Sequence, residues 1–202
     1  MIFVWLVSAA VLSFLLSGYF RAWSLKTKFA LAKPRERDLH TAPTPRIGGF
    51  AIVATFVVIM LALAIFAPKS WTDFGFPFAF WGFSIDKRLL GILVAVIILS
   101  AVMVYDDIKG APAYLKLFFQ ILAAVILIFT GVGLVYLNNP FGNTIYLDTV
   151  KIPFQFGADV YHLVLYADLF FLFWVLMLTN ATNFIDGLDG LSSTLVLISV
   201  VI

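Results

Sequence analysis

The sequence predicts an all-α, polytopic transmembrane helix bundle of about five complete spans plus the start of a sixth. Three observations predict it. Of the 202 residues 63% are apolar and only 12% are charged, against roughly 25% charged in an average soluble domain. Several apolar runs approach the ~20 residues that cross a hydrocarbon core, so the bilayer is the solvent for most of the chain. In lipid every backbone N–H and C=O needs an internal partner, and long continuous apolar runs meet that need as helices, not as the alternating strands of a barrel.

The elements follow in order. The first span runs from Ile2 to Phe20; no basic stretch precedes it and no small-residue cleavage pattern follows, so it reads as a span and not as a signal peptide. Further spans are expected at Phe50 to Ala67, Leu89 to Tyr105, Tyr114 to Tyr136 and Tyr161 to Thr179, with another starting near Leu191. The stretch from Leu191 to Ile202 is short of a crossing and ends without a polar flank, so residues 1–202 are expected to be the N-terminal part of a single membrane-embedded domain. Neither an internal repeat nor a flexible linker divides it.

Charge orients the spans. Arg21, Lys26, Lys28, Lys33, Arg35, Arg37, Arg46, Lys109 and Lys116 fall on one side, and only Lys69, Lys87, Arg88 and Lys151 on the other. The positive-inside bias then makes the first side cytoplasmic and puts the N-terminus outside. The aromatic loop from Trp71 to Phe83 reads as an interfacial belt. With no cysteine the chain offers no disulfide, thiolate metal site or thiol nucleophile, and a net charge of +2 is too small to argue for nucleic acid.

Three constellations can carry chemistry. Asp106 and Asp107 directly follow an apolar run. Adjacent carboxylates at a membrane boundary repel each other and cost desolvation, which a cation or substrate compensates; Mg²⁺ accepts one or two carboxylates and fills its other positions with water and phosphate oxygens. A solvated loop that simply stops the helix is the alternative. The second is Asn180, Asn183, Asp186 and Asp189 within NATNFIDGLDG. At ~100° per residue the first and last of these point in opposite directions on a helix, so Gly187 and Gly190 suggest a helix end that bends the series round a small ligand; an Asx-rich turn is the plainer reading. The third is the loop from Arg21 to Gly49, which closes in HTAPTPRIGG. Its charge alone is a topology or anionic-lipid signal, but Pro43 and Pro45 stiffen the approach, Gly48 and Gly49 permit close backbone contact, and His40 and Arg46 can meet phosphate oxygens. Lys116 and Gln120, at i and i+4, share a helix face and can reach the same anion, with snorkelling as the alternative for Lys116. Acidic residues for a divalent cation, basic residues for phosphates and a membrane that supplies a lipid are what phosphoryl transfer from a nucleotide to a membrane substrate requires.

Three stretches, RERDLHTAPTPRIGGFAI from Arg35, YDDIKGAPAYLKLFFQ from Tyr105 and NATNFIDGLDGLSS from Asn180, together resemble the polyprenyl-phosphate N-acetylhexosamine-1-phosphate transferases of bacterial envelope synthesis. The PTPRIGG form is more similar to the enzymes that begin O-antigen, teichoic acid or capsule chains than to the phospho-N-acetylmuramoyl-pentapeptide branch. The resemblance implies transfer of a sugar-1-phosphate, GlcNAc-1-phosphate by default, from a UDP-N-acetylhexosamine to undecaprenyl phosphate with release of UMP. It further implies a multi-pass protein of the bacterial plasma membrane with a cytoplasmic active site and Mg²⁺ (Mn²⁺ as the substitute), and leaves a homodimer open. Asp106, Asp107 and Asp186 take the catalytic and metal-binding positions, and Asn180, Asn183, Asp189, Lys116, Arg46 and His40 the substrate-binding ones. The family's C-terminal histidine-rich motif has no counterpart here: after His40 there is only His162, on the outer side of the expected topology. A catalytically incomplete chain that binds nucleotide sugar or lipid is therefore one competing reading, and an ion-coupled transporter another. Asp168 falls within the fifth apolar run, where it marks the outer end of a shorter span.

Overall fold

The computed structural model of the chain describes residues 2–32, 44–45, 48–66, 77–80, 83–139, 141–156 and 159–185. They divide into two compact units, Met1–Phe119 and Gln120–Ile202. Among the described residues four helices are long and apolar enough to cross a membrane, Phe3–Thr27, Gly48–Phe66, Lys87–Lys109 and Leu165–Asn183, and a fifth apolar helix, Ala113–Phe129, is shorter. The protein is thus the all-α polytopic membrane bundle that the apolar runs predict. Large apolar side chains stand exposed along the helices, Phe14 at 80% and Phe66 at 76% among them, while the buried set is dominated by Ala51, Ala95, Ala123, Ala124 and Ala167. Lipid takes the place of a large hydrophobic core, and small residues let helix backbones approach.

The first unit opens with α1 (Ile2–Thr27). Lys28, with φ 56°, terminates it; the Phe29 N–H reaches back to the Ser24 carbonyl at 3.2 Å, and the fully buried Ser24 hydroxyl donates to the Phe29 carbonyl at 2.5 Å. The chain then forms β1 (Leu31–Ala32), which pairs antiparallel with β2 (Thr44–Pro45). This brings the two ends of the intervening segment together just ahead of α2 (Gly48–Phe66). Phe20 near the end of α1 meets Phe50 at the start of α2 edge to face, with centroids 5.0 Å apart. A second hairpin, β3 (Pro77–Phe80) with β4 (Phe83–Asp86), lies inside the expected aromatic belt. It leads into α3 (Lys87–Lys109), capped by the Asp86 carboxylate, which accepts the Arg88 N–H at 2.8 Å. α4 (Ala113–Phe129) begins after a three-residue turn, Gly110 to Pro112.

The fourth span is shorter than the sequence suggests. α4 stops at Phe129 because Gly131, with φ 85°, reverses the chain: its N–H bonds the Ile128 carbonyl and the Val132 N–H bonds that of Leu127, both at 2.9 Å. Residues up to Tyr136, read as helix from their apolar character, instead enter β5 (Tyr136–Leu137), which pairs with β6 (Ile145–Tyr146). The fifth span likewise starts late. Tyr161 belongs to β8 (Asp159–Val164), which pairs with β7 (Lys151–Phe156) in a six-residue register, and α5 (Leu165–Ile185) begins only after it. Asp168 sits in the first turn of α5 and accepts the Val164 N–H at 2.8 Å, so it marks the start of a span that is shifted along the chain and not shortened.

Candidate active site

The Phe20–Phe50 contact joins the end of α1 to the start of α2, the α3–α4 turn joins the end of α3 to the start of α4, and a cavity lined by Gly49, Phe50, Val104 and Asp107 puts both pairs at one end of the first unit. Asp106 and Asp107 occupy the last turn of α3 there. Adjacent helical residues diverge by ~100°, so the two carboxylates serve different faces. Asp106 turns toward α4. Its Oδ2 pairs with Lys116 Nζ at 2.6 Å, its Oδ1 accepts the Ala111 N–H at 2.7 Å, and its own carbonyl accepts the Gly110 N–H at 2.8 Å. Gly110 holds φ 74°, a conformation that L side chains rarely adopt, and the turn it makes is what returns Lys116 to Asp106. The pair is part-buried, which strengthens the charge-assisted bond relative to an exposed one.

Asp107 turns the other way and is exposed. It ends a stripe formed by Val96, Leu99, Ser100, Met103 and Val104, spaced by three and four along α3, which lines a cavity of about 360 Å³. The opposite wall is α2, through Gly49, Phe50 and Val53. On the Asp106 face a separate apolar cavity of about 320 Å³ lies between α3 and the first turns of α4.

In the second unit α5 carries Asn180 and Asn183 on its last turns. The Asn180 amide donates to the Gln120 side-chain oxygen at 3.0 Å and to the Leu176 carbonyl at 2.8 Å. Gln120 is buried at 3% exposure, so this bond fixes both amides. Asn183 is exposed. His40, Arg46, Asp186 and Asp189, the remaining expected site residues, lie outside the described residues. Among the described residues no group of three or more His, Cys, Asp or Glu gathers as a metal site, and the third expected acidic ligand, Asp186, is not one of them. Asp107 is a hard oxygen donor of the type Mg²⁺ takes from protein, whereas both oxygens of Asp106 are engaged by Lys116 and the Ala111 N–H.

Two features of this site went unread in the sequence. The sequence reading gives Asp106 and Asp107 one role, although helical geometry already separates them, and gives Lys116 to phosphate without its partner Asp106. The ten-residue separation of these two residues across Gly110 and Pro112 was the available signal.

Residues 89–202 match the family model described as Glycosyl transferase family 4. The chain belongs to that family. The matched segment contains Asp106, Asp107, Lys116, Asn180 and Asn183 together with Asp186 and Asp189. The family 4 chain is 32% identical over 196 residues to the decaprenyl-phosphate N-acetylglucosaminephosphotransferase of Mycolicibacterium smegmatis, covering 96% of this chain and 42% of that protein. It is 27% identical over 166 residues to the probable undecaprenyl-phosphate N-acetylglucosaminyl 1-phosphate transferase of Bacillus subtilis, with 82% and 37% covered. With the phospho-N-acetylmuramoyl-pentapeptide-transferase of Streptococcus pyogenes serotype M3 it shares 26% identity over 210 residues, covering 96% of this chain and 54% of that one. The chain therefore spans about half, or less, of the length of these relatives. No solved structure matches it.

Proposed function

We propose that the protein to which this chain belongs transfers a sugar-1-phosphate, GlcNAc-1-phosphate by default, from a UDP-sugar to a polyprenyl phosphate at the membrane surface. The observation that carries the reading is the acidic end of α3, inside the family-matched segment, where one carboxylate is locked to a lysine and its neighbour faces an apolar cavity. The names of the mycobacterial and Bacillus relatives, decaprenyl-phosphate and undecaprenyl-phosphate transferases, support the lipid class and favour GlcNAc. The pentapeptide-transferase branch is the weaker alternative, because that relative is less similar.

In the proposed reaction an oxygen of the lipid phosphate attacks the sugar-bearing phosphorus of the UDP-sugar. A new P–O–P bond forms, the bond between the two nucleotide phosphates breaks, and UMP leaves with the electron pair. A bound Mg²⁺ would polarise the diphosphate and neutralise charge on the leaving group. Asp107 would contribute a carboxylate to it, and Asp186 is the further acidic position that the family resemblance assigns to the metal. Asp106, both of whose oxygens are engaged, keeps Lys116 in place, and an ammonium has three donors, enough to hold Asp106 and meet a phosphate oxygen. Asn180 and Asn183, with Asp189, are assigned to the nucleotide sugar, and His40 and Arg46 to phosphate.

A label on the sugar-bearing phosphate of UDP-GlcNAc tests the reaction type. With membranes that contain the protein expressed from its complete reading frame, phosphorus label in the lipid fraction is the expected result. Label left in UDP, with only sugar reaching the lipid, would mean glycosyl transfer and defeat the proposal.

A further inference from the structure

Asp168 takes no part in the reaction above, yet it stands in the first turn of a membrane span, where a charge is costly. Leu165, Asp168, Leu169 and Leu172 recur at three- and four-residue spacing, so they form one face of α5, and that face lines a cavity of about 270 Å³. Val125, Ile128 and Phe129 present a matching face of α4, and His162 of β8 stands at the same cavity. All of these residues belong to the second unit. The cavity has a direction. α4 ends at Phe129 and α5 starts at Leu165, so Asp168 and His162 mark the helix-end side, while Val125 lies about one turn and Leu172 about two turns into their helices.

The carboxylate is satisfied on one oxygen alone. Its Oδ2 accepts the Val164 N–H at 2.8 Å, which orients the group, and among the described residues Oδ1 accepts no hydrogen bond and no cation pairs with it. Lys151, whose strand position pairs with Val164, is held instead by Asp148 at 3.1 Å. A half-buried carboxylate without a counter-ion is costly, and an ammonium set against it removes that cost through a charge-assisted hydrogen bond.

We propose that this cavity holds a membrane lipid with a primary ammonium headgroup, of the phosphatidylethanolamine class, its ammonium on Asp168 and the start of one acyl chain along Leu169, Leu172 and Val125. The ligand is an amphiphile because the polar groups are confined to the helix-end side and the apolar walls continue into the span. Charge fixes the headgroup: Asp168 repels the anionic head of phosphatidylglycerol, and a quaternary ammonium has no N–H to give it. His162 can donate to the phosphate that accompanies the ammonium. A chain that leaves other lipid for this cavity gains little from apolar burial, so the preference rests on the headgroup contact. The site uses no residue assigned to the reaction and does not depend on the transferase reading.

Two measurements on the protein expressed from its complete reading frame test it. In the first, the detergent-purified protein is titrated with phosphatidylethanolamine, phosphatidylcholine or phosphatidylglycerol of identical chains and read by native mass spectrometry. Phosphatidylethanolamine should bind one site about tenfold or more tighter than either of the others, the scale of one hydrogen bond to a charged group. Asp168→Asn, which keeps an oxygen for the Val164 N–H, should bring the three within about twofold. Equal binding by the unsubstituted protein, or a preference that survives Asp168→Asn, overturns the proposal. In the second, phosphatidylethanolamine with a photoreactive diazirine near the top of one chain is activated in native membranes and the adducts are mapped. Adducts on Val125, Leu169 or Leu172 are expected, lost in Leu172→Trp, which fills the cavity, and kept in Phe173→Trp, at a position 63% exposed on the same helix. Adducts elsewhere, as when another helix of the complete protein covers the cavity, or adducts that phosphatidylglycerol displaces equally well, contradict it. This labelling decides the question by itself if Asp168→Asn does not accumulate.

Discussion

Lys116 and Asp106 are ten residues apart and meet at 2.6 Å across the α3–α4 turn, which makes the pair a property of the fold and not of either helix alone. A double-mutant cycle with Asp106→Asn and Lys116→Ala, read as thermal unfolding in detergent, should show coupling of about 0.5–3 kcal/mol; effects that add to within ~0.5 kcal/mol would contradict the pairing. In the proposed reaction Asp107 has a different duty. Asp107→Asn should reduce turnover by on the order of 10²-fold or more, the scale of losing one electrostatic group at a reacting centre, with the unfolding midpoint little changed. A comparable fall in both quantities would make Asp107 structural. In the Gln120–Asn180 bond a buried amide meets an exposed one. Gln120→Ala leaves a cavity and removes one partner of Asn180, so it should cost about 1–3 kcal/mol, and a stability unchanged by the substitution would mean that the bond does not fix α5. The residue types of the site were legible in the sequence because carboxylates, carboxamides and lysines are conspicuous on so apolar a chain. Their pairing was not legible, because it is fixed by a turn whose geometry depends on one glycine.

That turn belongs to the scale of elements. Gly110 has φ 74°, and a Cβ placed there meets no atom within 4 Å, so the only penalty on a side chain is backbone strain. Gly110→Ala should destabilise by about 1–2 kcal/mol. Because Ala111 and Lys116 reach Asp106 through this turn, turnover should fall further than stability; the ratio of the two losses, from kinetics and unfolding on the same preparation, is the check. Helix identity followed from apolar runs, but helix ends did not. α4 ends at Gly131 in a reversed turn, and α5 begins at Leu165 because the preceding residues pair as β7 and β8. Continuous apolar character does not separate a membrane helix from an apolar hairpin: Ile152, Val160 and Leu163 look like span residues and lie in strands. The positive φ at Lys28 that ends α1 carried no glycine to announce it.

At the scale of the whole molecule, composition alone selects the class, since so apolar a chain has no soluble solution, and the exposed phenylalanines with an alanine-rich interior are the physical expression of that choice. Family membership was legible because motifs separated by spans need not be close in sequence to be recognised together, and the match over residues 89–202, which contains the stretches from Tyr105 and Asn180, bears the family out. The sugar, the metal and the acceptor length are not written in helix periodicity; they depend on oxygen positions in a polar site assembled from several elements. The direct test is nucleotide release from a panel of UDP-N-acetylhexosamines by membranes that contain the protein expressed from its complete reading frame, with and without polyprenyl phosphate and with and without Mg²⁺. Release of UMP that requires both the lipid and the metal, strongest with UDP-GlcNAc, is the predicted result. Release of UDP in place of UMP, or UMP release indifferent to lipid or Mg²⁺, would contradict the proposed phosphosugar transfer at Asp107.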